Sequence, residues 1–271
     1  MLRRSDLALE NLPESGGVPG ILSSGYRRFG TAVTKVTVEG QPASETAGKP
    51  EGCYVTIETG AFGDPGCSRE GEIRAAAAEI RKLLPEQGTV LVVGLGNGEL
   101  TPDSLGPQTV RRILATRGMS EDIKNLFGGK LRPVAAMVTD VSGRTGMEAS
   151  ELIAAVVESI RPAAVIAVDS LAARDARRLG RTIQISDSGI VPGSGVSGSG
   201  REISERTIGV PVVTVGVPTV ADCESEGLRL SLTPRDIDIL VRRAAATVAD
   251  AVNLALQPVL TLADLRGIIE G

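Results

Sequence analysis

Apolar positions recur along this chain with two periods, and the switch between them outlines the fold. Ala32 to Val38 alternates apolar and polar side chains, and Tyr54 to Glu58 is a second strand-like stretch beyond a Gly/Pro/Ser/Glu segment. A period of two predicts strands, here a small N-terminal β meander. Residues 1–30 carry Pro13, Gly16, Gly17 and Pro19 without sustained periodicity and read as an arm or loop. Residues 69–84 then change to the helical period, with Ile73, Ala76, Ala77, Ile80 and Leu84 on one stripe and Pro85 as the stop.

Beyond that helix, short unbroken apolar runs replace alternation: Thr89–Val93, Pro133–Thr139 and Ala163–Val168. A strand covered on both faces needs such a run. Pro107 opens a helix carrying Val110, Ile113 and Leu114 before Gly118, and Gly146-Met147-Glu148 opens another through Ile160, stopped by Pro162. Leu171–Leu179 reads as a short helix, Thr182–Ile185 and Val212–Val217 as strands. Thr233-Pro234-Arg235-Asp236 caps a last helix with Ile237, Leu240, Val241, Ala244, Ala245, Val248 and Val252 on one face. Strands and helices alternating through short connections predict an α/β fold: a doubly wound, mostly parallel sheet with helices on both faces.

Composition narrows the chemistry. The chain of 271 residues has no histidine, which removes Ser-His-Asp and Cys-His catalysis within one chain and any His-bound zinc site. A net charge of −4 with arginines only in scattered pairs argues against a nucleic-acid surface. No window approaches the roughly 20 apolar residues of a membrane helix. Three widely spaced cysteines, Cys53, Cys67 and Cys223, suit a reducing compartment, so a cytoplasmic location is expected.

Two apolar runs lead to carboxylates, Asp103 after Leu91–Asn97 and Asp169 after Ala164–Val168. Taken singly, each has a structural alternative: Asp169 as N-cap of the 171–179 helix, Asp103 as cap of the helix near Pro107. On one sheet edge they become a candidate pair, because neighbouring carboxyls split their pKa values, one retaining a proton while the other activates water. Asp140 ends a third strand and is expected in the same crevice, raising a neighbouring carboxyl. Gly94-Leu95-Gly96-Asn97-Gly98 matches half of a dinucleotide fingerprint, but residues 99–107 intervene before the next helix, so no nucleotide is expected. The glycine-rich stretch from Asp187 to Gly200 is long enough to line a site. Asn97, Asp187, Ser188, Gly193 and Ser194 are the supporting candidates for binding and oxyanion stabilisation, and neither serine has a histidine to activate it.

Gly94-Leu95-Gly96-Asn97 with Thr101-Pro102-Asp103-Ser104-Leu105-Gly106-Pro107, Val165–Arg174, Thr182–Ile190, Pro192-Gly193-Ser194-Gly195-Val196 and Gly216-Val217-Pro218-Thr219-Val220 together resemble the germination protease family of endospore-forming bacteria. The Gly-x-Gly-Asn turn is also similar to the loop of hydrogenase-maturation peptidases, of related α/β architecture. The resemblance implies an endopeptidase that degrades small acid-soluble spore proteins in the spore core, made as a zymogen and assembled as a homotetramer, with Asp103 and Asp169 as catalytic aspartates and no cofactor or metal. Arg4-Ser5-Asp6-Leu7-Ala8-Leu9-Glu10 looks like the family's activation site, which implies self-processing between Asp6 and Leu7, a propeptide of residues 1–6 and a single peptidase domain over 7–271. The chain departs from the family at Gly98, usually tryptophan, at Asp140, usually glycine, and at Val191, usually histidine. Its segment Ala221 to Leu232 is also shorter. Two rivals follow: a maturation-type peptidase in which Asp103, Asp140 and Asp169 hold a divalent metal of the substrate, and a spore-associated binding protein without turnover.

Overall fold

The computed structural model describes residues 5–11, 18–66, 68–193, 200–225 and 228–270. Among these, the strands are β1 (Ile21–Arg28), β2 (Thr31–Val38), β3 (Gly52–Glu58), β4 (Val90–Gly94), β5 (Val134–Val138), β6 (Ala164–Ala173), β7 (Thr182–Ser186), β8 (Val212–Ser225) and β9 (Leu228–Leu232). The helices are α1 (Gln41–Ala47), α2 (Glu70–Leu83), α3 (Leu105–Val110), α4 (Glu121–Leu126), α5 (Ser142–Thr145), α6 (Ala149–Ile160), α7 (Glu205–Ile208), α8 (Ile237–Leu256) and α9 (Leu262–Glu270). All strands join one sheet in the order β1-β2-β3-β7-β8-β6-β4-β5, with β9 paired to β8 off that path. Its heart, β8-β6-β4-β5, is parallel. The two expected strands of the N-terminal meander are β2 and β3; β1 adds a third at the outer edge, and the meander joins the rest of the sheet edge to edge through antiparallel β3–β7 pairing.

The unbroken apolar runs have the reason anticipated for them. In β4, Val90 and Val92 enter one core with α2 and α8, while Leu91 and Val93 enter a second core under α6 and α7. Helices therefore cover both faces. Each such fully buried aliphatic side chain contributes about 1.5–3 kcal/mol, so the two-sided burial of the parallel strands anchors the fold.

Several elements differ from the sequence expectation, each because tertiary contacts override local signals. Residues 21–28 are not loop but β1, closed onto β2 by a two-residue turn in which Phe29 and Gly30 have φ of 48° and 78°. Such a turn matches the twist of the strands it joins. The helix at Pro107 ends at Val110, short of Gly118. The chain beyond it is held by buried Asn253 of α8, whose Oδ1 accepts from the Leu114 N–H at 2.9 Å and whose Nδ2 donates to the Arg112 carbonyl at 2.8 Å. No helix spans 171–179: β6 continues to Ala173, and only a 3-10 turn forms at Ala176–Arg178. Leu171 and Ala172 pair with Pro218 and Val220 of β8, which itself runs on to Ser225 instead of ending at Val217. The last long helix spans Ile237–Leu256 and is followed by α9.

Candidate active site

The site forms where β4 ends beside β6, which runs on past it. These strands are parallel and in register, Gly94 opposite Val168, and the pairing extends one step through the Leu95 N–H to the Val168 carbonyl at 2.9 Å. Period-two alternation then assigns successive roles along one face of β6. Val165 and Ala167 lie in the core beneath α6, Asp169 comes next, and Leu171 and Ala173 form a separate apolar cluster with Leu7. Because β6 continues as a strand, Asp169 caps no helix. It is 6% exposed, and its Oδ1 accepts from the Ser170 N–H at 2.8 Å.

Asp103 arrives by a different route. The chain leaves β4 through the glycine turn, and a short 3-10 helix, Thr101–Asp103, brings the carboxyl back towards the strand end. Its Oδ2 accepts from the Asn97 N–H at 2.7 Å. Close packing requires glycine at two positions of this region. A Cβ on Gly94 would meet the Gly106 carbonyl oxygen at 2.4 Å, and one on Gly106 would meet backbone of Leu95 and Val168 at 2.3 to 2.5 Å.

Asp103 and Asp169 line one crevice of about 40 Å³ together with Asp6, Pro102, Ser170 and Gly193. That volume suits one or a few water molecules. Burial pushes the Asp169 carboxyl well above its ordinary value; the charge of Asp103 adds to the rise and that of Asp6 contributes less, while the Ser170 N–H opposes it. Asp103 is also raised, first by burial, against the Asn97 N–H that favours its charged form, and Asp140 raises it further. Asp140 itself is not among the residues lining the crevice, contrary to the expectation that it would share it; its charge acts on Asp103 from outside. Its φ of 65° lies in the left-handed region, which short polar side chains accept more readily than others. Asp140 Oδ1 accepts from the Val141 N–H at 2.8 Å, and Arg144 Nε lies 3.7 Å from its Oδ2. Among the described residues no group of three or more histidines, cysteines, aspartates or glutamates is arranged to hold a metal ion.

The supporting candidates separate. Gly193 reaches the carboxyl crevice, and Ser188 lines a neighbouring cavity of about 1230 Å³. Ser188 Oγ lies 3.1 Å from Ser186 Oγ, which bonds Thr214 Oγ1 at 2.9 Å. Ser194 lies outside the described residues. Asp187 serves the sheet. Its Oδ1 accepts from the Cys53 N–H at 2.7 Å and its own N–H donates to the Cys53 carbonyl at 3.3 Å, extending the β3–β7 pairing. The Asn97 N–H is engaged by Asp103, and its Oδ1 accepts from the Glu99 N–H and from Arg144.

Residues Ser5–Asn11 lie against the end of β6. The Asp6 N–H donates to the Ala172 carbonyl at 2.9 Å, and its Oδ2 accepts from the Ala172 N–H at 2.8 Å. Gln184 Nε2 lies 3.4 Å from the Asp6 carbonyl oxygen, and Leu7 is completely buried. The sequence pattern does not single out Gln184, Lys49 or Arg144. Gln184 and Lys49 line the larger cavity, where burial pushes the Lys49 amine down and the carboxylates of Asp6 and Glu10 partly restore it. No local signal marks these three, because each reaches the site across long sequence separations.

Known peptidases are similar to this chain. A solved NiFe hydrogenase maturation protease from Thermococcus kodakarensis is similar at a TM-score of 0.37 and 16% identity, over 64% of this chain and 98% of that one. A germination protease from Caldanaerobacter subterraneus is 33% identical over 98% of both chains, and one from Priestia megaterium is 38% identical over 88% of this chain and 65% of its own. The family model for germination protease matches residues 11–227. With that much of the sequence matched, the chain belongs to the germination protease family.

Proposed function

We propose that this peptidase begins the breakdown of small acid-soluble spore proteins during germination, that Asp103 and Asp169 carry out the hydrolysis, and that the chain first cuts itself between Asp6 and Leu7. One observation carries the reading: a carboxyl on the turn that follows β4 and one on the adjacent strand β6 share a water-sized crevice, both raised from their ordinary value, with Asp6 in the same wall. A homotetramer in the spore core rests on the family resemblance alone.

Asp169, the more deeply buried carboxyl, keeps its proton and acts as the acid. Asp103, raised by burial but opposed by the Asn97 N–H that favours its charged form, acts as the base. Asp103 takes a proton from water as the oxygen attacks the scissile carbonyl carbon, and Asp169 protonates the carbonyl oxygen, giving a neutral tetrahedral diol. On collapse Asp103 returns its proton to the departing amine nitrogen, the C–N bond breaks, and Asp169 recovers its proton from the diol. Gln184 Nε2, near the Asp6 carbonyl oxygen, is the neutral donor suited to charge developing there, in place of Asn97 and Asp187.

Incubating the full chain with a purified small acid-soluble spore protein, with and without a chelator, tests the proposal. Cleavage that resists chelation is the expected result. Chelator-sensitive cleavage would favour the metal-dependent rival, and intact substrate would favour a binding protein.

A further inference from the structure

Thr219 of β8 has no pairing partner on β6. Leu171 pairs with Pro218 and Ala172 with Val220, which leaves Thr219 as the additional residue of a β-bulge. Pro218 favours an irregularity here, because it has no N–H to give to a ladder. Bulges recur beside active sites, where they re-aim a side chain. On β6, period two places Ser170 with Ile166 and Val168, on the face opposite Asp169. The 3-10 helix that ends in Asp103 packs against both β6 and β8. Three parts of the chain thus bring two hydroxyl residues and a carboxyl together.

Both Ser170 and Thr219 line the crevice that Asp103 and Asp169 share. Thr219 is completely buried, and neither its Oγ1 nor the buried Oγ of Ser170 has a hydrogen-bond partner among the described residues. Other buried hydroxyls share that state, Thr109 and Thr182 among them, but of the group only Ser170 and Thr219 line the crevice. A buried hydroxyl left unpaired is destabilising, and in a polar cavity of this size water is the partner that satisfies it.

A water poised to attack has more to satisfy than a single base. One lone pair faces the carbonyl carbon and one proton faces Asp103, which leaves a second proton and a second lone pair. An ionised carboxylate only accepts, whereas a hydroxyl both donates and accepts. We propose that Thr219 and Ser170 hold the attacking water for Asp103, one hydroxyl accepting from its second proton and the other donating to its second lone pair. This assignment rests on the peptidase reading, since the water is the nucleophile of that reaction. Fixed at these points, the water keeps one orientation, and loss of that orientation lowers the rate without weakening substrate binding.

Steady-state cleavage of a purified small acid-soluble spore protein by single variants of the full chain tests the assignment. Thr219→Val keeps the branching and approximate size of the side chain and should lower kcat at least about tenfold, with KM little changed. Thr219→Ser, which keeps a hydroxyl and loses the methyl group, should recover most of that loss. A residue that served packing alone would give the reverse order, valine being the better replacement. Ser170→Ala should also lower kcat with KM little changed. A folded Thr219→Val chain with kcat within about threefold of the unmodified chain, or Thr219→Ser slower than Thr219→Val, overturns the assignment. Should Thr219→Val fail to fold, Ser170→Ala decides by the same limit. If the unmodified chain cleaves spore protein and these variants match it, the water assignment fails and the peptidase reading stands. An unmodified chain that leaves spore protein intact removes both.

Discussion

Gly96 and Asp103 approach so closely that a Cβ on Gly96 would lie 2.2 Å from the Asp103 carbonyl oxygen and 2.9 Å from its Oδ1. Gly96 also has φ of 100°, a region that L side chains rarely adopt. The glycine turn thus sets where the Asp103 carboxyl stands. Gly96→Ala should cost about 1–3 kcal/mol of stability from backbone strain alone, and it should lower peptidase activity beyond what that loss explains. Thermal melting and turnover measured well below the melting temperature separate the two effects.

Asp103→Asn and Asp169→Asn should each reduce cleavage of spore protein by at least about 100-fold while the circular dichroism spectrum is kept, because an amide preserves shape but cannot exchange the proton. A folded Asp103→Asn protein retaining activity within about tenfold of the unmodified chain would remove Asp103 from the chemistry.

The two variants should differ in stability. Folding raises the Asp169 carboxyl well above its ordinary value of 3.8. The folded chain then holds a proton that the unfolded chain has released, so stability falls as pH rises from that ordinary value through the folded one. Asp169→Asn abolishes this titration. Its melting temperature, relative to the unmodified chain, should rise between pH 4 and pH 8, and an offset independent of pH would contradict the raised carboxyl.

Asp140 raises Asp103 through like charge. Asparagine tolerates the left-handed backbone there and can still accept from the Val141 N–H, so Asp140→Asn removes the charge with little strain. With Asp103 as the base, the acidic limb of the pH profile of kcat should move to lower pH. A limb that stays in place, or moves up, would contradict the assignment of roles.

Gln184 is buried on β7 with Thr56 beside its Oε1 and the Asp6 carbonyl beside its Nε2. Gln184→Ala should lower kcat by roughly 100-fold, within the range found for a lost oxyanion donor, with little change in KM. It should slow self-processing likewise. Intact mass followed over time reports that step: cleavage between Asp6 and Leu7 leaves a chain beginning at Leu7, and a full-length mass that persists in preparations cleaving spore protein would exclude self-processing there.

By itself, the sequence determined the layers of the fold and named the two carboxyls. Val90 to Val93 and Ala164 to Val168 are apolar at every position because helices cover both sheet faces, and such two-sided burial leaves a direct mark in a chain. The family blocks around Asp103 and Asp169 are equally local. Only the tertiary structure decided that Leu171 to Ala173 extend β6 and that Leu171 and Ala173 pack with Leu7, since the same Leu-Ala-Ala letters suit a helix until β8 pairs with them. It alone brought Gln184 and Lys49 to the N-terminal segment and Arg144 to Asn97 and Glu99. A polar side chain whose partner is remote in sequence leaves no period or spacing to read, because its environment exists only once the sheet has assembled.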